Sequence, residues 1–229
     1  MARSVRVGEA VGAAANFQPR SLSMRGKVHR YAVYVPPGYD RTAAWPAVLS
    51  LHGAGERGND GTAQTTVGIG PALARLSRPF PAIVVLPQCP RNDYWSMGAG
   101  RIAMRALDEV EQEFRIDPRR VALTGVSMGG AGAWRLAAEH PDRFAALAPI
   151  CGWAYEDAES VANRVRAIRT WIFHGDADEI VPVEASRAMA DALKALGAEV
   201  RYTELPGVAH NSWDDAYQKS ELLEWLISP

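Results

Sequence analysis

The segment Gly125-Val126-Ser127-Met128-Gly129 falls where an apolar run, Val121-Ala122-Leu123-Thr124, gives way to an alanine-rich helical stretch. A serine bracketed by glycines at such a junction reads as a tight strand-to-helix turn that holds its hydroxyl at the edge of a sheet. The serine of such a turn is strained, and its neighbours must have almost no side chain if the backbones around it are to approach closely. The motif therefore demands a buried strand before it and a helix after it. That demand points to a fold in which strands and helices alternate.

The rest of the chain fits the demand. Short apolar runs recur and each stops at a turn signal: Ala47–Leu51 before His52-Gly53, Ala82–Leu86 before Pro87, Ala145–Ile150 before Gly152, and Thr170–Phe173 before His174-Gly175. Arg30–Val35 alternates and ends at Pro36-Pro37-Gly38, and Val200–Leu205 ends at Pro206-Gly207. Runs without alternation suit strands buried on both faces of a parallel sheet. Helical spacing of apolar residues appears between them, over 101–114, 127–139, 185–196 and 214–227. The expected architecture is α/β, a mostly parallel central sheet flanked by helices on both faces, with residues 1–229 forming a single domain. No repeat or internal linker interrupts it.

Composition narrows the class. At 229 residues, 48% hydrophobic and 22% charged, the chain has the make-up of a soluble globular domain. A net charge of -1 gives no electrostatic case for nucleic acid or an anionic membrane surface as partner. No apolar run approaches the roughly 20 residues that span a bilayer. Residues 1–17 lack the basic start and apolar core of a secretory leader, so the expected location is cytoplasmic, or outside the cell if a leader has already been removed. Cys89 and Cys151 make neither a disulfide framework nor a metal site and read as two half-buried thiols. No cofactor fingerprint and no metal-ligand spacing is present.

A serine hydroxyl needs an adjacent base, itself oriented by an acid. Behind a strand-to-helix elbow these follow in the order serine, acid, histidine. Of the five histidines, His29 and His52 precede Ser127, His140 ends the elbow helix, and His174 precedes an acidic cluster. His210, in the loop after the last strand, satisfies the order. The acid should lie in His174-Gly175-Asp176-Ala177-Asp178-Glu179, where Asp176, Asp178 and Glu179 all qualify by type.

Four segments carry a family resemblance: Leu51-His-Gly-Ala-Gly-Glu-Arg-Gly58, Gly125-Val-Ser-Met-Gly-Gly130, Phe173-His-Gly-Asp-Ala-Asp-Glu-Ile-Val-Pro182 and Gly207-Val-Ala-His210. In this order they resemble the α/β-hydrolase superfamily, and within it small carboxylesterases of the feruloyl esterase, polyhydroxybutyrate depolymerase and phospholipase/carboxylesterase kind. The resemblance implies an α/β-hydrolase fold with a minimal cap or none, and a serine carboxylesterase acting on short-chain acyl or aryl esters. It selects Asp178 as the acid and leaves Asp176 to shape the turn. Serine peptidase and thioesterase or lysophospholipase activities share the same triad, and a hydrolase-fold binding protein without chemistry is the reading from another class.

Acyl transfer develops negative charge on the carbonyl oxygen, which backbone amides can bind. One donor should be the amide of Met128, which follows the nucleophile. By resemblance the other is the amide after His52-Gly53, that of Ala54, with Gly55 as the alternative. His52 is expected to brace this loop by hydrogen bonds. Trp95, Trp153 and Trp213 each follow a strand or the catalytic histidine and are expected to wall the substrate cleft. The expected partner is a small-molecule ester.

Overall fold

The computed structural model describes residues 17–219 and 221–228, with the backbone alone for Lys219. Residues 1–16, on which the absence of a leader pattern was read, lie outside them. The described chain runs β1 (Phe17–Met24), β2 (Lys27–Tyr34), β3 (Trp45–Leu51), α1 (Ile69–Arg75), β4 (Ile83–Pro87), α2 (Gly98–Glu113), β5 (Ile116–Val126), α3 (Met128–Glu139), β6 (Ala146–Ile150), α4 (Ala158–Val165), β7 (Arg169–Gly175), α5 (Glu184–Ala195), β8 (Val200–Leu205), α6 (Trp213–Lys219) and α7 (Leu222–Ile227).

The strands form one sheet in the order β1-β2-β4-β3-β5-β6-β7-β8. From β4 to β8 every neighbouring pair is parallel, while β2 runs antiparallel to both β1 and β4. Side chains alternate across the sheet with the period of two that strands impose. Leu49, Leu123, Leu147 and Ile172 face one apolar cluster, completed by residues of α2, α3, α4 and α5. Val48, Ala122, Ala148 and Phe173 face the other, completed by α1, α6 and α7. Helices thus cover both faces. Between β6 and β7 there is one helix of eight residues, α4, so nothing large caps the strand ends.

Residues 214–227 carry one continuous helical pattern in the sequence, whereas the structure has two helices there, α6 and α7. Ala216 and Tyr217 on α6, and Leu222, Leu223, Trp225 and Leu226 on α7, still pack into the same cluster. The strand β1 and the helices α1 and α4 have no counterpart in the sequence pattern. Only Leu22 of β1 is buried, and α1 is seven residues long and includes Gly70 and Pro71, too short and too irregular to show a period.

The strand that leads to Ser127 is pinned from beneath. The buried hydroxyl of Thr124 on β5 donates to the Ala148 carbonyl at 2.7 Å and so accepts from the Tyr217 hydroxyl at 2.6 Å. Burial pushes the Tyr217 phenol well above its ordinary value, consistent with a permanently neutral donor. Tyr217→Phe removes that donor without changing the ring. It is expected to cost about 1 kcal/mol of unfolding free energy in urea titrations, and an unchanged stability would show that the hydroxyl does not hold α6 to β5.

Candidate active site

The elbow is built by close approach of backbones. Ser127 has φ 54°, a left-handed conformation that strains a residue with a side chain. A Cβ on Gly129 would stand 2.0 Å from the Leu51 carbonyl oxygen and 2.7 Å from that of His52, and one on Gly125 would stand 2.2 Å from the Gly129 oxygen. The glycines are therefore required by the packing of α3 against the end of β3. The same logic joins the loops after β7 and β8, since a Cβ on Gly175 would stand 2.0 Å from the Val208 oxygen and 2.8 Å from that of Ala209.

These approaches bring Ser127, Asp178 and His210 together from three separate loops. His210 Nε2 lies 2.8 Å from Ser127 Oγ, and His210 Nδ1 lies 2.7 Å from Asp178 Oδ2. A carboxylate only accepts, so Nδ1 carries the proton and Nε2 is left free to accept from the serine hydroxyl. Of the three acids open by type, it is Asp178 that reaches His210. Asp176 instead accepts from the Gly207 amide at 2.6 Å, tying the two loops together. Asp178 is fully covered, while His210 keeps 21% of its side chain exposed.

Asp178 is held on both oxygens. Oδ1 accepts from the amides of Ile180 and Val181 at 2.8 and 2.9 Å, and Oδ2 accepts from His174 Nε2 at 3.1 Å as well as from His210. Burial works against the charge, but the hydrogen bonds from His210 and the two amides outweigh it and hold the carboxyl below its ordinary range. His174 is wholly buried. Its Nε2 faces two acceptors, Asp178 and the Val181 carbonyl, so Nδ1 accepts from the Ser186 hydroxyl at 2.7 Å. Sequence reasoning passed over His174 because it precedes the acid; its position four residues before Asp178 was the available signal.

Beside the elbow, Ala54–Glu56 form a single 3-10 turn after Gly53, whose Cβ position is 3.9 Å from Ser127 Cβ. Met128 is the first residue of α3, and the first amides of a helix have no intrahelical acceptor. His52 braces this turn. Its Nδ1 donates to the Gly53 carbonyl at 2.6 Å and its Nε2 accepts from the Cys89 amide at 2.9 Å. Gln88 adds bonds to the Glu56 carbonyl and to Asp60, and the Gly58 amide bonds the Cys89 carbonyl. Burial drives the His52 pKa down to about 4.

The tryptophans divide. Trp95 does not wall a cleft: it is 1% exposed, its indole N–H donates to the His52 carbonyl at 3.0 Å, and it packs against Gly132 of α3, where a Cβ would come within 2.4 Å of it. Trp213 lies edge-on to His210 with ring centroids 5.5 Å apart, and Trp153 makes a similar pair with the exposed Tyr155. Both are half-buried.

Among the described residues, one group of donors is close enough to hold a metal: Cys151, Asp178 and His210. Its chemistry argues against that use. Asp178 and His210 are bonded to each other, and burial pushes the Cys151 thiol up to about 12, whereas a ligating cysteine must be a thiolate. Cys151 and Cys89 are both free and buried more completely than the half-buried thiols expected. No helix of the described residues is long and apolar enough to cross a membrane.

Comparison with known proteins places the fold and the family. A crystal structure of a thermostable esterase is 33% identical, with a TM-score of 0.86 over 93% of this chain and 63% of that one. A feruloyl esterase module from Clostridium thermocellum, solved with sinapinate, shares the fold at a TM-score of 0.74 and 17% identity, covering 94% of this chain and 89% of the module. Acyl-protein thioesterase 1 of Gibberella zeae is 28% identical over 111 residues, 46% of this chain and 47% of that protein. The chain spans about half or less of the length of such curated relatives. The architecture is the α/β-hydrolase fold. The model of the phospholipase/carboxylesterase family matches residues 102–222, more than half of the sequence, and the chain belongs to that family.

Proposed function

We propose that the protein is a serine carboxylesterase that hydrolyses short-chain acyl or aryl esters through Ser127, His210 and Asp178. The relay from Ser127 Oγ to His210 Nε2 to Asp178 Oδ2, at 2.8 and 2.7 Å, carries the reading. His210 takes the serine proton as Oγ bonds to the ester carbonyl carbon, and Asp178 stabilises the imidazolium that forms. The amides of Ala54 and Met128 receive the oxyanion. His210 then gives its proton to the departing alcohol, leaving an acyl-enzyme. A water molecule deprotonated by His210 attacks the acyl carbon, and Ser127 leaves with the proton. The family and the esterase structure at 33% identity support ester hydrolysis. The half-exposed Trp213 beside His210 gives an aryl group a flat apolar face. The Gibberella zeae relative favours a thioester as the second substrate class, attacked by the same steps.

Two tests follow. Initial rates on p-nitrophenyl acetate, butyrate and octanoate and on methyl ferulate should be measurable for the wild type. In Ser127→Ala they should fall by about 10⁴-fold or more, and retained turnover would remove Ser127 from the chemistry. The second concerns the loop that presents the Ala54 amide. In the folded protein both ring nitrogens of His52 are already bonded, so protonation at Nε2 would set two donors, the ring and the Cys89 amide, against each other. The unfolded chain protonates His52 near pH 6.5, the folded one only near 4. Stability supplied by the neutral ring is therefore complete above the first value and is lost as pH falls towards the second, by about 3 kcal/mol. In His52→Gln that part of the acid dependence should vanish from urea titrations between pH 7 and 4. An acid slope equal to that of the wild type would contradict the neutral, braced ring.

A further inference from the structure

A charged surface lies at the same end of the sheet as Ser127 and takes no part in the mechanism. Tyr31 of β2 pairs with Pro87 at the end of β4, so residues 27–30 and the β1–β2 turn overhang that end. Strands neighbour one another at about 4.8 Å, and β2 is three strands from β5, which sets the overhang about 14 Å from the elbow as measured across the sheet. Two hollows, of about 410 and 390 Å³, adjoin there and share Lys27, His29, Pro90 and Arg91 as walls. The second reaches Gly58, Asn59 and Asp60, the continuation of the loop that carries Ala54.

Arg25, Lys27, Arg91 and Arg101 line these hollows, and none of the four side chains has an ion pair or hydrogen bond to a described residue. Elsewhere Arg20, Arg135, Arg143, Arg164 and Arg187 each meet a carboxylate, while Arg78 and Arg166 stand singly rather than in a group. The two acids in the walls are already engaged. Asp93 accepts from the amides of Tyr94 and Gly98, and Asp60 accepts from Thr62, Ala63 and Gln88. Four cations thus face two carboxylates, a surplus of positive charge gathered on one concave surface of a chain whose net charge is -1. A hollow with a surplus of one sign of charge concentrates ions of the other.

We propose that this double hollow is a substrate subsite for an acidic carbohydrate chain, with the ester bond at Ser127 and anionic sugar units held by Arg25, Lys27, Arg91 and Arg101. The spread of charge over two joined hollows suits repeated anions rather than one phosphate. The side-chain amides of Asn59 and Asn92 in the walls suit hydroxyl groups. The walls contain no Trp, Tyr or Phe on which a nucleic-acid base could stack. Naming the ligand as substrate rests on the ester-hydrolase reading; its binding does not.

The test is affinity electrophoresis and calorimetric titration of the full chain with oligogalacturonate (carboxylate), dextran sulfate (sulfate), neutral dextran and oligo-dT, beside p-nitrophenyl butyrate turnover. The wild type should bind one or both acidic carbohydrates and not dextran. The Arg91→Ser/Arg101→Ser double variant should bind about ten-fold more weakly, with butyrate turnover unchanged. Arg25→Glu/Lys27→Glu, on another wall, should repeat the loss. Preference between the two polyanions names the acid group. Equal binding by variants and wild type, absence of binding to both polyanions, or tighter binding of oligo-dT would each overturn the proposal. Binding without ester turnover would leave the hollow standing and remove the esterase reading; turnover without binding would do the reverse.

Discussion

The packing of the Gly129 backbone onto the carbonyls of Leu51 and His52 is the contact on which the site depends. It seats the start of α3 on the end of β3, and so sets the Met128 amide and the turn at Ala54 on either side of one serine. A positive φ at Ser127 costs of order 1–3 kcal/mol, and it persists because the surrounding structure fixes it. Thr124 is bonded to Ala148 and Tyr217, the Ser127 amide is bonded to the Ile150 carbonyl, and two glycines admit what side chains would exclude. The strain at Ser127 is thus maintained by the sheet and by α6.

The acid is arranged on the opposite principle. Asp178 is buried, which alone would favour its neutral form, and it stays ionised because four donors converge on it. One of these, His174, is itself oriented by Ser186 on α5, so the hydrogen bonds begun at Ser127 extend from the surface to the interior. A carboxylate fixed at both oxygens cannot swing away from His210, and His210 is thereby held in the tautomer whose Nε2 accepts a hydrogen bond from the Ser127 hydroxyl. The turn at Ala54 is fixed in the same manner by His52, Gln88 and Trp95, side chains drawn from the loops after β3 and β4.

What the sequence disclosed and what it hid follow from the range of the forces involved. The strands with continuous apolar runs, β3 to β7, announce their burial because both faces are covered. The elbow, the acidic loop and His210 are legible because each is a local signal in a fixed order, although Asp176, Asp178 and Glu179 are equal by type and needed the family resemblance to be ranked. The edge strand β1 was hidden because an edge buries one side chain, Leu22, and is defined by its pairing with β2. Trp95 was misjudged because its position after a strand suggested a cleft wall, while the space that receives it is made by Gly132, far along the chain. The cationic hollow was invisible for the same reason: Arg25, Lys27, Arg91 and Arg101 are scattered in sequence and are gathered only by the antiparallel return of β2 beside β4.

The central claim is that Ser127 is a nucleophile activated by His210. Treating the intact protein with an alkyl fluorophosphonate, then locating the adduct by peptide mass spectrometry, tests it most directly, because the reagent reports activation without requiring the right ester. One phosphonyl group per chain on Ser127, formed faster than hydrolysis of the reagent and lost in His210→Ala, is the expected result. An unlabelled Ser127, or labelling that persists unchanged without His210, would contradict it.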